Sequence, residues 1–73
     1  MTGIIKHSVA IAGHRTSVSL EPEFWEGLKQ MAVEQGISLA AMIAEIDQKR
    51  SNPNLSSALR IAVLAFYQAK LQD

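Results

Sequence analysis

Apolar and polar side chains alternate through residues 4–20, the pattern of extended strands with one buried face. Between Ile4 and Ala12 the apolar residues Ile5, Val9 and Ile11 occupy odd positions. Between Arg15 and Leu20 the apolar set moves to even positions. A slip of one residue turns every side chain to the opposite face, so the chain must change register between the two runs.

Gly13 is the expected site of that change, as a bulge or a turn. Either residues 4–20 form one long bulged strand, or Gly13 and His14 turn the chain into a small hairpin. The alternation leaves both open. If Arg15–Leu20 is a single six-residue strand, it has no hydrogen-bonded partner strand of its own. On that interpretation we expect it to pair with a second chain.

Two helices are expected after the strand region. The first, over 22–35, begins at Pro22, carries an apolar stripe through Leu28 and Met31, and ends at Gly36. The second, over 38–50, is capped by Ser38. Its buried stripe consists of Leu39, Met42, Ile43 and Ile46.

A third helix is expected over 54–71, after the breaker Ser51-Asn52-Pro53-Asn54. Asn54 or Ser56 is the expected cap. The helix is apolar around nearly its whole circumference, which indicates burial on more than one side. In so short a chain that predicts a subunit interface.

The 73 residues form a single predicted domain, 1–73, in which 48% of residues are apolar and 19% are charged. Domains of this size usually need a staple. The chain has no cysteine, and two histidines do not make a structural zinc site, so we expect no metal and no cofactor. Oligomerisation is the remaining source of additional stability, and we expect a homodimer or a larger homo-oligomer.

The formal net charge is zero, but the charge is unevenly distributed. Residues 1–20 carry Lys6 and Arg15 and no acid, while residues 21–73 carry five basic and seven acidic residues. The strand region is therefore the basic end of the chain. This modest charge predicts weak non-specific binding to DNA.

The chain has neither an apolar signal-peptide core nor an apolar run long enough for a membrane span, so we expect a cytoplasmic, bacterial protein without membrane contact. We find no phosphate loop, no nucleophile–base pairing and no carboxylate pair, and an enzyme is the least favoured class. Phe24 and Trp25 are read as core residues. His7 and His14 are read as surface groups.

The order Arg15-Thr16-Ser17-Val18-Ser19-Leu20, a helix with Leu28 and Met31, and then Gly36-Ile37-Ser38-Leu39 resembles the ribbon-helix-helix family of bacterial DNA-binding proteins, the Arc/MetJ type. It is most similar to a short subgroup with a late Asn-Leu-Ser-Ser-Ala-Leu-Arg segment. The resemblance implies a mainly α fold with a short N-terminal β-ribbon, an additional C-terminal helix, and an intertwined homodimer.

The resemblance also implies roles for individual residues. Arg15, Ser17 and Ser19 would read bases in the major groove of double-stranded DNA, and the backbone around Ser38 and Leu39 would clamp a phosphate. Helix N-termini are anion sites on physical grounds as well. Each residue also has a simpler interpretation. Arg15 is then a solvated cation, and Ser17 and Ser19 lie on the solvent-exposed face of a sheet. Ser38 is then a helix N-cap without a phosphate contact.

The implied function is sequence-specific DNA binding by a transcriptional repressor or autoregulator, cytoplasmic and nucleoid-associated. The alternative is a protein-interaction or dimerisation module, such as an antitoxin-like partner, with helix three as its partner surface. The operator, the regulated genes and any effector are not visible in the sequence.

Overall fold

The structure, a computed structural model, describes residues 3–72, so both ends of the predicted domain, residues 1, 2 and 73, lie outside it. A two-stranded sheet is followed by three helices. The elements in chain order are β1 (Ile5–Ile11), β2 (His14–Leu20), α1 (Pro22–Gln35), α2 (Leu39–Lys49) and α3 (Leu55–Leu71). A short N-terminal ribbon, two helices and an additional C-terminal helix are the architecture that the sequence predicts.

β1 and β2 form an antiparallel hairpin joined by the two-residue turn Ala12-Gly13. Both turn residues have positive φ, 51° at Ala12 and 82° at Gly13. The type I′ turn needs this conformation, and its twist matches that of the flanking strands. Of the two alternatives for residues 4–20, the structure therefore selects the hairpin.

The hairpin corrects one expectation, that the run Arg15–Leu20 needs a second chain as its ladder partner. Its partner is β1 of the same chain, in a register that places Ile11 opposite His14 and Ile5 opposite Leu20. A two-residue turn pairs odd positions of β1 with even positions of β2. The parity change in the sequence therefore brings both apolar sets to the same face of the sheet.

Local signals set the helix ends. Glu21 precedes α1 in an extended conformation, with Pro22 in the first turn. Gly36 ends the helix with φ 68°, and its N–H bonds back to the carbonyls of the last turn. The Ser38 hydroxyl accepts the N–H of Ala41 at 3.0 Å, and the Asn54 side chain caps α3 in the same way.

The core lies between the inner face of the hairpin and the three helices. Its largest fully buried side chains are Val18, Leu20, Leu28, Met42, Ile43 and Leu59. Phe24 and Trp25 pack against this cluster, as expected of core residues. β2 is therefore held on one face only, and its other face is left to solvent.

α1 and α3 approach each other closely at Gly27, which is buried. A Cβ atom added there would lie 2.5 Å from Cγ1 of Val63 and 3.4 Å from Cε2 of Tyr67. Glycine thus occupies this helix interior, despite its low helix propensity, because a side chain has no room.

α3 buries only part of its apolar circumference. Ala58, Leu59 and Val63 face the core, while Ile61 and Leu64 are more than half exposed. The single chain therefore covers one side of this helix and leaves an apolar surface open. The subunit interface expected there stays a prediction.

Candidate nucleic-acid interface

The outer face of the hairpin brings together six side chains from both strands. The register pairs Lys6 with Ser19, Ser8 with Ser17, and Ala10 with Arg15. Side chains directly opposite each other in an antiparallel pair lie on the same face. Five of the six residues are exposed and Ser19 is half-buried. The same face therefore carries three residues of β1 and the three residues predicted from the sequence to contact bases, Arg15, Ser17 and Ser19.

This face is positively charged and carries hydroxyl groups. Arg15 and Lys6 are its only charged residues, and neither strand contains an acid. Their positions along the ribbon are four residue steps apart, about 13 Å at the usual rise of a strand. Ser8 and Ser17 lie between them, and Ala10 opposite Arg15 leaves the guanidinium room to move. Two strands with such side chains match the width of the major groove.

Sequence reasoning missed the contribution of β1 to this face. Lys6, Ser8 and Ala10 occupy the even positions of residues 4–12, and the alternation pattern alone assigns them no role. The parity change around Gly13 was the signal that could have found them, because a tight hairpin at that point superimposes the two polar sets.

The far end of β2 is fastened to α3 through Ser19. The N–H of Ser19 donates to Oγ of Ser56 at 2.9 Å, and its carbonyl accepts Nη2 of Arg60 at 2.9 Å. The backbone groups of Ser19 therefore point away from β1. In an antiparallel ladder this direction alternates, so those of Ser17 and Arg15 also point to the outer edge.

Arg60 has two hydrogen-bond partners outside its own helix. Besides Ser19, its Nε donates to Oε1 of Glu21 at 3.0 Å. The Arg60 hydrogen bond, aided by a backbone N–H and by the charge of the guanidinium, holds the pKa of Glu21 below its ordinary value. This pair fixes the junction between β2 and α1, from which the outer face is presented.

His7 does not lie at the surface as expected. It sits on the inner face of β1, half-buried, with its ring stacked on Trp25 at 3.7 Å between centroids and 4° between planes. Its Nε2 is buried without a hydrogen-bond partner. The reason is the same register, which turns odd positions of β1 toward the helices. His14 is exposed.

The start of α2 is the second predicted contact. The Ser38 hydroxyl is committed to the N–H of Ala41, and Ser38 itself is exposed. Leu39 is half-buried and packs against the core. The first N–H groups of a helix have no acceptor within it, so the N–H groups of Leu39 and Ala40 are the donors available to an anion.

Among residues 3–72, no group of three or more histidine or acidic side chains is arranged to hold a metal ion. None of the helices in this range combines the length and the apolar character needed to cross a membrane.

Comparison with known protein families identifies the fold family of this chain. A family model described as a ribbon-helix-helix domain matches residues 4–67, which include the hairpin, α1, α2 and most of α3. No curated protein and no solved structure matches the chain.

Proposed function

Since the chain belongs to the ribbon-helix-helix family, whose fold is typical of non-enzymatic DNA-binding regulators, we propose that it binds double-stranded DNA through the outer face of its own hairpin. The observation that carries the proposal is the exposed, acid-free face on which Arg15 and Lys6 flank the serine hydroxyls. Both strands of this ribbon come from one chain.

The ribbon enters the major groove with this face toward the bases. Arg15 forms a bidentate pair with the O6 and N7 atoms of a guanine, the commonest specific contact of this side chain. Ser8 and Ser17 bond to neighbouring base edges or phosphates. Lys6, at the other end of the ribbon, neutralises a phosphate. Ser19 has its backbone tied to α3, and it orients the strand more than it reads sequence.

The N-terminus of α2 supplies a further backbone contact. The N–H groups of Leu39 and Ala40 bind a phosphate oxygen, while Ser38 holds the helix end in place. The two N–H groups contact phosphate and therefore do not distinguish one base from another. They position the ribbon in the groove, and the hairpin side chains supply the sequence preference.

We assign the protein to transcription regulation, as a cytoplasmic, nucleoid-associated repressor that acts on its own promoter. The net charge of zero is consistent with a protein that relies on a few specific contacts more than on general attraction to DNA. The family generally binds DNA as dimers, so two ribbons would recognise two half-sites.

Fluorescence anisotropy against duplexes from the protein's own upstream region tests the proposal. The wild type is expected to bind with an affinity that falls as salt is raised. Loss of the guanine contact in Arg15→Ala should cost about 1–3 kcal/mol, roughly 5- to 150-fold in Kd. Lys49→Ala is the matched control, because it removes an exposed cation of α2 that lies outside the hairpin face.

The Lys49→Ala variant should bind like the wild type. The proposal fails if Arg15→Ala binds as tightly as Lys49→Ala, or if the wild type binds no upstream duplex at low salt.

A further inference from the structure

The outer face of the hairpin differs from one end to the other. Its six side chains, three from each strand, are Lys6, Ser8, Ala10, Arg15, Ser17 and Ser19. At the turn end Ala10 lies opposite Arg15, and at the other end Lys6 lies opposite Ser19. A ribbon built from two identical antiparallel strands would present the same pair at both ends. This ribbon comes from one chain, and its face therefore has a direction.

Ala10 is the one side chain of this face that cannot form a hydrogen bond. Its methyl group is exposed, and the other five side chains of the face all carry polar groups. An apolar group placed against a base donor or acceptor would leave that polar group unpaired, which is costly. The 5-methyl group of thymine is the apolar group that a base presents in the major groove. Thymine is therefore the base that matches Ala10.

Ala10 and Arg15 are close enough together to contact neighbouring base pairs. The backbone groups of Arg15 point to the outer edge of β2, so the two residues form a pair without ladder hydrogen bonds, in which the side chains lie closest. Their Cβ atoms should be about 5 Å apart, and base pairs stack at about 3.4 Å. A thymine at Ala10 and a guanine at Arg15 would therefore lie about one or two base-pair steps apart.

The opposite end of the face carries a cation. Lys6 is exposed, whereas Ser19 is half-buried with its backbone bonded to Ser56 and Arg60. Lys6 lies about 13 Å from the position of Arg15 along the ribbon, equivalent to about four base-pair steps. A lysine bound to phosphate carries no sequence information. This end of the face therefore adds affinity without a base preference.

We infer that each hairpin reads a directional, non-palindromic DNA element, in which a thymine adjoins the guanine bound by Arg15 and packs its 5-methyl group against the methyl group of Ala10. The inference rests on the proposed function, because it assigns bases to the same face. The element spans about four base-pair steps, from the guanine and thymine to the phosphate bound by Lys6. Ala10 is then a specificity-determining residue, although it forms no hydrogen bond.

Replacing thymine by uracil in the upstream duplex tests the role of Ala10, because it removes the 5-methyl groups and leaves base pairing unchanged. Losing one buried methyl contact should weaken wild-type binding by about fourfold, and single replacements should place the loss at one thymine in each element. Ala10→Gly should show no such loss, since its methyl group is already absent. Each protein is compared with itself on the two duplexes, so any effect of glycine on the strand is common to both measurements.

Ala12→Gly is the matched control for Ala10→Gly. It deletes the same methyl group, but Ala12 lies in the turn and not on the outer face. This variant should keep the wild-type preference for thymine over uracil, about fourfold. Circular dichroism checks that both glycine variants are folded.

Replacing guanines one at a time by 7-deazaguanine, which lacks the N7 acceptor, locates the base bound by Arg15. The wild type should lose affinity at one guanine of each element, about one or two steps from the sensitive thymine. Arg15→Ala should be insensitive to the same replacement. Lys6→Ala should leave both sensitive positions unchanged and should reduce the salt slope of binding by about 1.

Three results would overturn the inference and leave DNA binding by the hairpin intact. The first is equal wild-type affinity for the thymine and uracil duplexes. The second is the same loss on uracil in Ala10→Gly as in the wild type. The third is a pair of mirrored guanine–thymine contacts within about four base-pair steps, the result expected of a two-fold symmetric ribbon. A wild type that binds no upstream duplex overturns the proposed function, and the inference with it.

Discussion

Arg60 connects three parts of the molecule through one guanidinium group. It donates to the carbonyl of Ser19 in β2 and to the carboxylate of Glu21 at the start of α1, while its own backbone belongs to α3. A planar group with several fixed donors suits such a junction better than a lysine would. The position of β2, and with it the exposed side chain of Arg15, depends on this contact.

The Arg60–Glu21 contact predicts a pH dependence of stability. Because the hydrogen bond from Arg60 lowers the pKa of Glu21 in the folded state, its stabilisation is present above the ordinary pKa of 4.5 and is lost as pH falls through the lower folded value. Chemical denaturation at a series of pH values should show a smaller loss of stability in Glu21→Gln than in the wild type below pH 4.5. Identical acid profiles for the two proteins would contradict this role.

Ala12 illustrates why the sequence did not settle the hairpin. Both turn residues have positive φ, a conformation that asparagine and glycine adopt readily and alanine does not. An Asn-Gly pair would have been a strong turn signal, whereas Ala-Gly is a weak one. The strain at Ala12 persists because the ladder and the buried Val18 and Leu20 hold both strands in place.

At the scale of elements, the sequence predicts a feature well when the residues that determine it are close together in the chain. Pro22, Gly36, Ser38 and Asn54 mark the ends of helices by interactions within one turn. The partner of β2 depends instead on contacts up to fifteen residues apart, between Ile5 and Leu20. Alternation shows that a strand has two faces, but it does not say which strand lies beside it.

The packing of α1 on α3 predicts that Gly27→Ala destabilises the protein. Alanine gains about 1 kcal/mol of helix propensity, but its Cβ would meet Val63, and overpacking costs about 1–3 kcal/mol. We expect a net loss of about 1 kcal/mol in unfolding experiments at fixed protein concentration. In a Val63→Ala background the clash is absent, so the same substitution should be neutral or stabilising. Equal stabilisation in both backgrounds would contradict the packing argument.

The N-terminus of α2 allows a test of the proposed backbone contact with phosphate. Ser38 is extended, with φ −71° and ψ 159°, the conformation required of a residue before proline. Leu39→Pro should therefore keep the helix but remove one N–H, whereas Leu39→Ala shortens the same side chain and keeps the N–H. Leu39→Pro is expected to bind DNA about tenfold more weakly than Leu39→Ala. Equal affinities would remove this contact from the proposed interface.

At the scale of the whole molecule, the two exposed features lie on different elements. The polar, positively charged face belongs to the hairpin, and the exposed apolar side chains of Ile61, Leu64 and Leu71 belong to α3. Composition pointed to the second feature, because 48% apolar residues exceed what so small a core can bury. The proposed DNA contact uses the polar face alone, and residues 3–72 of one chain leave the apolar side of α3 open to solvent.

The candidate site was predicted in part from the sequence. Arg15 and Ser17 were singled out on β2, and the structure places both on its exposed face. Lys6, Ser8 and Ala10 were not singled out, because their place on the same face depends on the register between two strands. Arg60 was also missed, since its partners lie 39 and 41 residues away in sequence. Non-local contacts of this kind leave no pattern within a single segment.

The central claim is that the intact hairpin of one chain is the DNA-binding ribbon, and a locked hairpin tests it most directly. Ser8 and Ser17 are directly opposite, in a pair whose Cα atoms should lie about 4.5 Å apart, within the range that a disulfide spans. The variant Ser8→Cys/Ser17→Cys can therefore be closed by oxidation so that its strands cannot separate. Both forms of this variant lack the two serine hydroxyls. A difference in DNA affinity between the oxidised and the reduced form therefore reports the effect of the disulfide alone.

The measurement is the affinity of both forms for the upstream duplex. The account predicts a disulfide within single chains and equal affinity in the two forms, each weakened further by Arg15→Ala. Covalent dimers in place of closed single chains, or DNA binding that disappears on oxidation and returns on reduction, would contradict it.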